Sequence, residues 1–239
     1  MLVWVASYPR SGNTLFRILL NRTYGVVTAS LYPGEADEAG PHAAVASAIG
    51  AVPLPLPPAE LAARPEPWFV KTHELPTPDH PALYLVRDGR DVLVSHAHYV
   101  LDYDRGLAPA ERPDLYRQTL RMLIETDASF GGWGRHVLSW LDRAVPTAVV
   151  RFEDLVRTPL ACLRQAMRQL GLGPAELPEP RIPPFEDLHG LAPRFFRGGR
   201  TGAWRDEMPD DLHRLFWRRH GDAMRRLGYA CPPGSSRGS

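Results

Sequence analysis

Cysteine is scarce in this chain of 239 residues: there are two, Cys162 and Cys231, and no metal-ligand spacing relates them. That speaks against a cysteine metal centre and for two free thiols in a reducing compartment. An excess of charge of one sign is missing too. The formal net charge is +1, with arginines and acidic residues interspersed, so general nucleic-acid binding is not expected and any phosphate recognition must be local. No hydrophobic run approaches the length of a bilayer span, which argues against a membrane protein. Met1 is followed directly by a strand-like segment, without a basic leader or a small-residue cleavage site. The expectation is a cytoplasmic enzyme or binding protein without internal repeats.

The pattern that is present alternates. Apolar runs at Leu2 to Ala6, Trp68 to Val70, Ala82 to Val86 and Ala148 to Phe152 read as strands. Between them the spacing predicts helices over about Leu15 to Tyr24, Asp91 to Leu101, Pro113 to Thr126, Gly132 to Ala144, Pro159 to Leu170 and Asp210 to Leu227. This rhythm predicts a single P-loop-like α/β domain over residues 1–229, with a central parallel sheet flanked by helices on both faces. Residues 230–239, rich in Gly and Ser, read as a disordered tail. The proline-rich stretches Ala51 to Pro67 and Gly173 to Pro193 read as extended loops. Trp4, Trp133, Trp140 and Trp217 are expected in the core, as is the face Leu212, Leu215, Phe216, Met224 and Leu227.

Four segments carry candidate chemistry. Tyr8-Pro9-Arg10-Ser11-Gly12-Asn13-Thr14 links the first strand to the first helix, where backbone N–H groups and the positive helix end suit an anion. Arg10 adds a forked cation, and Ser11, Asn13 and Thr14 add short donors. The bland alternative is an ordinary strand-to-helix turn eased by Gly12 and capped by Thr14. In Trp68 to His73, Lys71 and His73 lie two apart in extended chain and share a face at the carboxyl end of a strand. Arg87 closes the next strand, a tight Asp88-Gly89 turn follows, and Asp91 is placed to cap a helix that displays Ser95 one turn on, so Arg87 and Ser95 can converge on one phosphate. The alternative there is an Arg87–Asp91 ion pair. Arg194 to Trp204 holds three glycines among three arginines and three aromatics, the composition of a mobile anion loop. His96 and His98, two apart on a helix, point in different directions and make no metal site. His98 and Tyr99 are candidate acceptor contacts, and His42, His80, His136, His189, His213 and His220 read as structural or surface residues.

Taken in order, these segments resemble the PAPS-dependent sulfotransferase family, over about Leu2 to Leu227. The resemblance implies that Arg10, Ser11, Gly12, Asn13 and Thr14 grip the 5′-phosphosulfate of 3′-phosphoadenosine 5′-phosphosulfate (PAPS). It makes His73 the catalytic base, with Lys71 and Arg10 as catalytic cations. Arg87 and Ser95 take the family's place at the 3′-phosphate, Arg197, Gly198 and Gly199 that of a late loop reaching the same group, and Phe152 that of an aromatic near the adenine. Three departures accompany it: Arg10 stands where the family usually has Lys, Leu15 where it has an adenine-stacking Trp, and Gly198 where animal cytosolic members carry Lys. Together they favour a divergent, bacterial-type enzyme. The implied product is PAP, with no metal, no nucleic acid and no membrane partner. The acceptor is expected to be the hydroxyl of a small alcohol or phenol such as a natural-product intermediate, a carbohydrate second, met by loops over Leu31 to Pro67, Tyr99 to Leu107 and Gly173 to Pro193. Oligomeric state is left open. The competing readings are a P-loop nucleotide kinase, which lacks its Gly-Lys-Ser/Thr ending here, and a non-catalytic sensor of PAP or a sulfated metabolite, for which His73 has no use.

Overall fold

The first strand, β1 (Leu2–Ser7), lies in the middle of a five-stranded sheet and is buried along its whole length. The computed structural model describes residues 1–37, 43–77, 79–104, 106–107, 111–180, 182–193, 196 and 198–230. After β1 come α1 (Asn13–Tyr24), β2 (Thr28–Ser30), α2 (Ala43–Ile49), α3 (Pro58–Ala62), β3 (Trp68–Thr72), β4 (Ala82–Val86) and α4 (Gly89–His98), which runs on as a π-helical turn over Tyr99–Asp104. The second half adds α5 (Pro113–Glu125), α6 (Trp133–Leu141), β5 (Thr147–Arg151), α7 (Phe152–Arg157), α8 (Pro159–Gln169), α9 (Phe185–Leu191), α10 (Trp204–Glu207) and α11 (Asp210–Arg226). Every strand pair is parallel, in the order β2-β3-β1-β4-β5.

Strand side chains alternate between the two faces, and each set finds its own helices. Leu2, Trp4, Ala6, Ala82, Tyr84 and Val86 pack with α4, α5, α6 and α11 through residues such as Leu93, Leu123, Trp133, Trp140 and Phe216. Val3, Val5, Leu83, Leu85, Ala148 and Val150 pack on the other side against Phe16, Leu19 and Leu20 of α1 and Leu155, Leu163 and Met167 of α7 and α8. The fold is therefore a single α/β domain with a parallel sheet covered on both faces. The four tryptophans expected inside are buried, as are Leu212, Phe216 and Met224 of α11 and Leu227 directly after it, while Leu215 is partly buried against the same core.

Several elements depart from the sequence reading. The short edge strand β2 was not anticipated, since a three-residue run carries no periodicity. The proline-rich loops contain α3 and α9, because proline is well suited to the start of a helix: Pro58 is the first residue of α3 and Pro184 directly precedes α9. Phe152, read as the end of a strand, opens α7. α4 is capped by Asp88, whose carboxylate accepts from the Arg90 N–H at 2.9 Å, and not by Asp91. Gly89 is the first residue of that helix and no turn glycine; a Cβ there would lie 2.7 Å from the Trp133 ring, so it is the packing that requires it. From Cys231 onwards the expected tail lies outside the described residues.

Candidate active site

The chain runs from β1 out to β2, returns through β3 and crosses over β1 to β4. Connections thus leave the carboxyl ends of β3, β1 and β4 in opposite directions, which opens a crevice there. A cavity of about 650 Å³ fills it, lined by Arg10, Gly12, Asn13, Thr14, Leu15, Lys71, His73, Arg87, Ser95, Phe152, Gly198 and Gly199 among others. Eleven site residues inferred from sequence therefore line one cavity. Of the remaining two, Ser11 is buried at 1% exposure and is not among the lining residues, and Arg197 lies outside the described residues.

The turn from β1 into α1 passes through two left-handed backbone positions, Arg10 at φ 68° and Gly12 at φ 98°. At Gly12 a Cβ would fall 2.5 Å from Cδ2 of Phe152, so that position needs glycine for its backbone and for its neighbour alike. The first-turn N–H groups of α1 behind it have no acceptor within the helix. Two side-chain roles need correcting. The Asn13 amide is committed to the Val5 carbonyl at 3.0 Å and the Ser7 hydroxyl at 3.2 Å, so it braces the turn. Thr14 does not cap α1: the capping position is Gly12, with no side-chain cap.

His73 follows β3 and is held on every side. Its Nδ1 lies 2.7 Å from the Ser7 carbonyl oxygen, an acceptor only, so Nδ1 carries the proton and Nε2 is bare. Its main-chain N–H donates to the Tyr32 hydroxyl at 2.7 Å, and its carbonyl accepts from Nε2 of the buried His136 at 3.0 Å. Nδ1 of His136 is thereby left to accept from the Tyr84 hydroxyl at 3.0 Å. The Tyr32 ring stacks on the imidazole, centroids 5.5 Å apart, and Phe130 tilts against it at 5.6 Å. Burial and the Lys71 ammonium hold the His73 imidazole well below its ordinary pKa, so it is neutral near pH 7.

Lys71 does not stand alone beside it. Its Nζ lies 2.8 Å from Oε1 of Glu35, and the same oxygen accepts from Nη1 of Arg17 at 2.8 Å. Arg10 Nε donates to the Ser95 hydroxyl at 3.3 Å and its guanidinium lies 4.9 Å from the centre of the Tyr99 ring. Arg87 spreads over the Phe152 ring at 4.4 Å and donates to the Arg200 carbonyl at 3.0 Å, while its Asp91 contact is a loose 4.0 Å. Asp91 is engaged elsewhere: it accepts from the N–H groups of Gly202 at 2.7 Å and Trp204 at 3.0 Å, tying the late loop to α4. Arg90, paired with Asp88, lies 3.9 Å from the centre of the Trp204 ring and fastens the loop from beneath.

Sequence reasoning missed Phe130, placed Tyr32 and Glu35 only within a candidate acceptor loop, and read His136 as structural or surface, the first of which its burial bears out. Glu35 is separated from Arg17 by 18 positions and from Lys71 by 36, which no local pattern reveals. Phe130 precedes Gly131 and Gly132 and itself has φ 48°, so the Phe-Gly-Gly string was the available signal. Tyr99 and Leu188, from loops expected to meet the acceptor, do line the cavity, together with His96, Phe196 and Glu207.

The description "Sulfotransferase domain" belongs to the protein-family profile that matches residues 2–180. Among curated proteins, dog sulfotransferase 1B1 is 31% identical over 42% of this chain and 36% of its own length, and rat sulfotransferase 1A1 is 23% identical over 84% and 77%. The chain thus spans about a third of the first curated relatives it matches. Among solved structures, mouse sulfotransferase SULT7A1 complexed with PAP superposes with a TM-score of 0.65 at 19% identity, covering 93% of this chain and 83% of that one. A retinol dehydratase in complex with androsterone and PAP gives 0.62 at 23% identity, covering 97% and 82%. At such identities these two bear on the fold alone. Since the family profile takes in residues 2–180 of 239, the chain belongs to the sulfotransferase domain family.

Proposed function

We propose that this chain moves the sulfuryl group of PAPS to the hydroxyl of a small-molecule acceptor and releases PAP. The observation that carries the reading is the bare Nε2 of His73, its Nδ1 committed to Ser7, in the same cavity as Arg10, Lys71 and Arg87. The cavity also suits the donor: with Arg200 it holds four guanidinium or ammonium groups against two described carboxylates, Asp91 and Glu207. Asp91 is already engaged with backbone N–H groups.

His73 accepts the acceptor's hydroxyl proton at Nε2 as that oxygen bonds to sulfur, and the sulfur–oxygen bond to the 5′-phosphate breaks with its electron pair leaving on PAP. A positioned base of this kind contributes roughly 10²–10⁴-fold. Arg10, Lys71 and the first N–H groups of α1 balance the charge that moves onto the bridging oxygen. Arg87 and Ser95 hold the 3′-phosphate, and Gly198 and Gly199 let the late loop approach it. Phe152 and Leu15 flank the adenine, with Leu15 supplying apolar contact where an aromatic would stack. Tyr32, Phe130 and Tyr99 make the acceptor side aromatic, which suits a phenol or an alcohol with an apolar body. The reading includes a cytoplasmic setting and no metal, since Arg10 and Lys71 already face a group less charged than a terminal phosphate. Among the described residues no helix is long and apolar enough to cross a membrane.

The test is a paired incubation. Sulfur-labelled PAPS with a panel of phenols and alcohols is expected to give a sulfated product, in EDTA as in its absence, while labelled ATP gives none. A phosphorylated product, a strict magnesium requirement, or failure of PAP to raise the melting temperature overturns the proposal.

A further inference from the structure

Lys71 is the only lysine in the chain; the other 27 of its 28 basic Lys and Arg residues are arginine. The single ammonium stands in the cavity wall, half-buried, and shares one carboxylate oxygen with a second cation. Glu35 is that carboxylate. Arg17, whose side chain is 0% exposed, donates through Nη1 to Glu35 Oε1 and through Nε to the Thr28 hydroxyl at 2.7 Å. One oxygen therefore ties α1, which carries the anion turn at its start, to β3, which carries Lys71 and leads into His73.

We infer that Glu35, anchored by the buried Arg17, is a positioning residue that keeps the Lys71 side chain both in place and charged at the reacting end of the cavity. The groups facing Lys71 are Glu35 from the turn after β2, Arg17 from α1, Arg10 from the anion turn, His73 from the end of β3, and the Tyr32 ring 5.4 Å from Nζ. Glu35 is the one carboxylate in that set. Burial lowers the pKa of Lys71, Glu35 pulls it up, and Arg17 and Arg10 push it further down. Burial raises the pKa of Glu35, but Arg17 and Lys71 outweigh it and bring the group down to about 2, so the counter-charge is present throughout the working range. Without it, three cationic side chains would crowd one desolvated corner, and lysine is the one of them that can shed its proton.

The catalytic consequence rests on the sulfotransferase reading; the charge relation does not. A chain labelled with ε-¹³C lysine gives one side-chain NMR signal, because there is one lysine. Its titration midpoint in Glu35→Gln is expected to fall by at least about one pH unit relative to the unsubstituted protein, the size of shift a lost neighbouring charge produces at a buried site. Glu35→Asp, which keeps the charge on a shorter arm, is expected to fall between the two, and it carries the same test if Glu35→Gln does not fold. An unmoved midpoint in the folded variant overturns the inference. In parallel, turnover of PAPS with 2-naphthol is expected to show kcat reduced, KM for the acceptor little changed, and the alkaline limb of the pH profile moved to lower pH by the NMR interval. A reduced kcat with an unmoved alkaline limb marks Glu35 as merely structural and likewise overturns it. A shifted lysine signal in a protein inert towards PAPS upholds the charge relation and refutes the sulfotransferase reading instead.

Discussion

The Nδ1 atom of His73 and the carbonyl oxygen of Ser7 lie 2.7 Å apart, and that one contact decides which ring nitrogen can work as a base. The Ser7 carbonyl cannot donate, so the proton stays on Nδ1 and Nε2 keeps its lone pair. His73→Ala is expected to lower kcat by roughly 10²–10⁴-fold with PAP affinity retained by calorimetry. The pH dependence follows in sign: a depressed pKa keeps the base form available to lower pH, so the acidic limb of kcat/KM should fall below the ordinary value of 6.5. A limb at or above that value would contradict the assignment.

For Arg87→Ala the expected loss is in donor binding. Charged hydrogen bonds of the kind proposed at the 3′-phosphate are worth about 1.5–3 kcal/mol, or roughly a ten- to hundredfold rise in the PAP dissociation constant. Turnover at saturating PAPS should change much less. An unaltered dissociation constant by calorimetry removes Arg87 from the donor site.

Gly12→Ala tests the turn itself. The new methyl would meet the Phe152 ring at 2.5 Å, on a backbone at φ 98° that alanine resists. Strain and overpacking each cost about 1–3 kcal/mol, so a clear drop in unfolding midpoint is expected along with weakened PAP binding. A variant with parental stability and affinity would show that the turn has room which this geometry denies.

Acid should unfold the protein through its buried histidines. Burial brings His96, His136 and His220 each down to about 4. A group whose folded pKa lies below its unfolded value stabilises the fold above the unfolded value and loses that contribution as pH falls. The window here runs from about 6.5 down to about 4. Within it each histidine contributes a slope of up to about 1.4 kcal/mol per pH unit. Denaturant midpoints measured from pH 7 to pH 4 should fall throughout, and His136→Gln should flatten the curve.

The sheet and its helices were legible because buried parallel strands are written as short unbroken apolar runs, and Leu2 to Ala6 and Ala82 to Val86 are such runs. The binding turn was legible because Arg10 to Thr14 are contiguous, and Lys71 and His73 because a strand places alternate residues on one face. Other features depend on the fold for their meaning. Glu35 acquires its partners only when the turn after β2 closes against α1 and β3. Asp91 looked like a cap from its place in the chain, yet the loop that it actually holds arrives 111 residues later at Gly202. Asn13 looked like a ligand donor because local sequence does not show that the Val5 carbonyl and the Ser7 hydroxyl already occupy its amide.

Tyr84 is fully buried in the middle of β4 and is not among the described cavity-lining residues. Its hydroxyl nevertheless orients His136, and His136 in turn holds the main chain of His73. The interior and the reaction centre thus share one hydrogen-bonded ladder. Selection for faster variants should therefore turn up substitutions deep in the sheet, and a search confined to the rim of the crevice would overlook them.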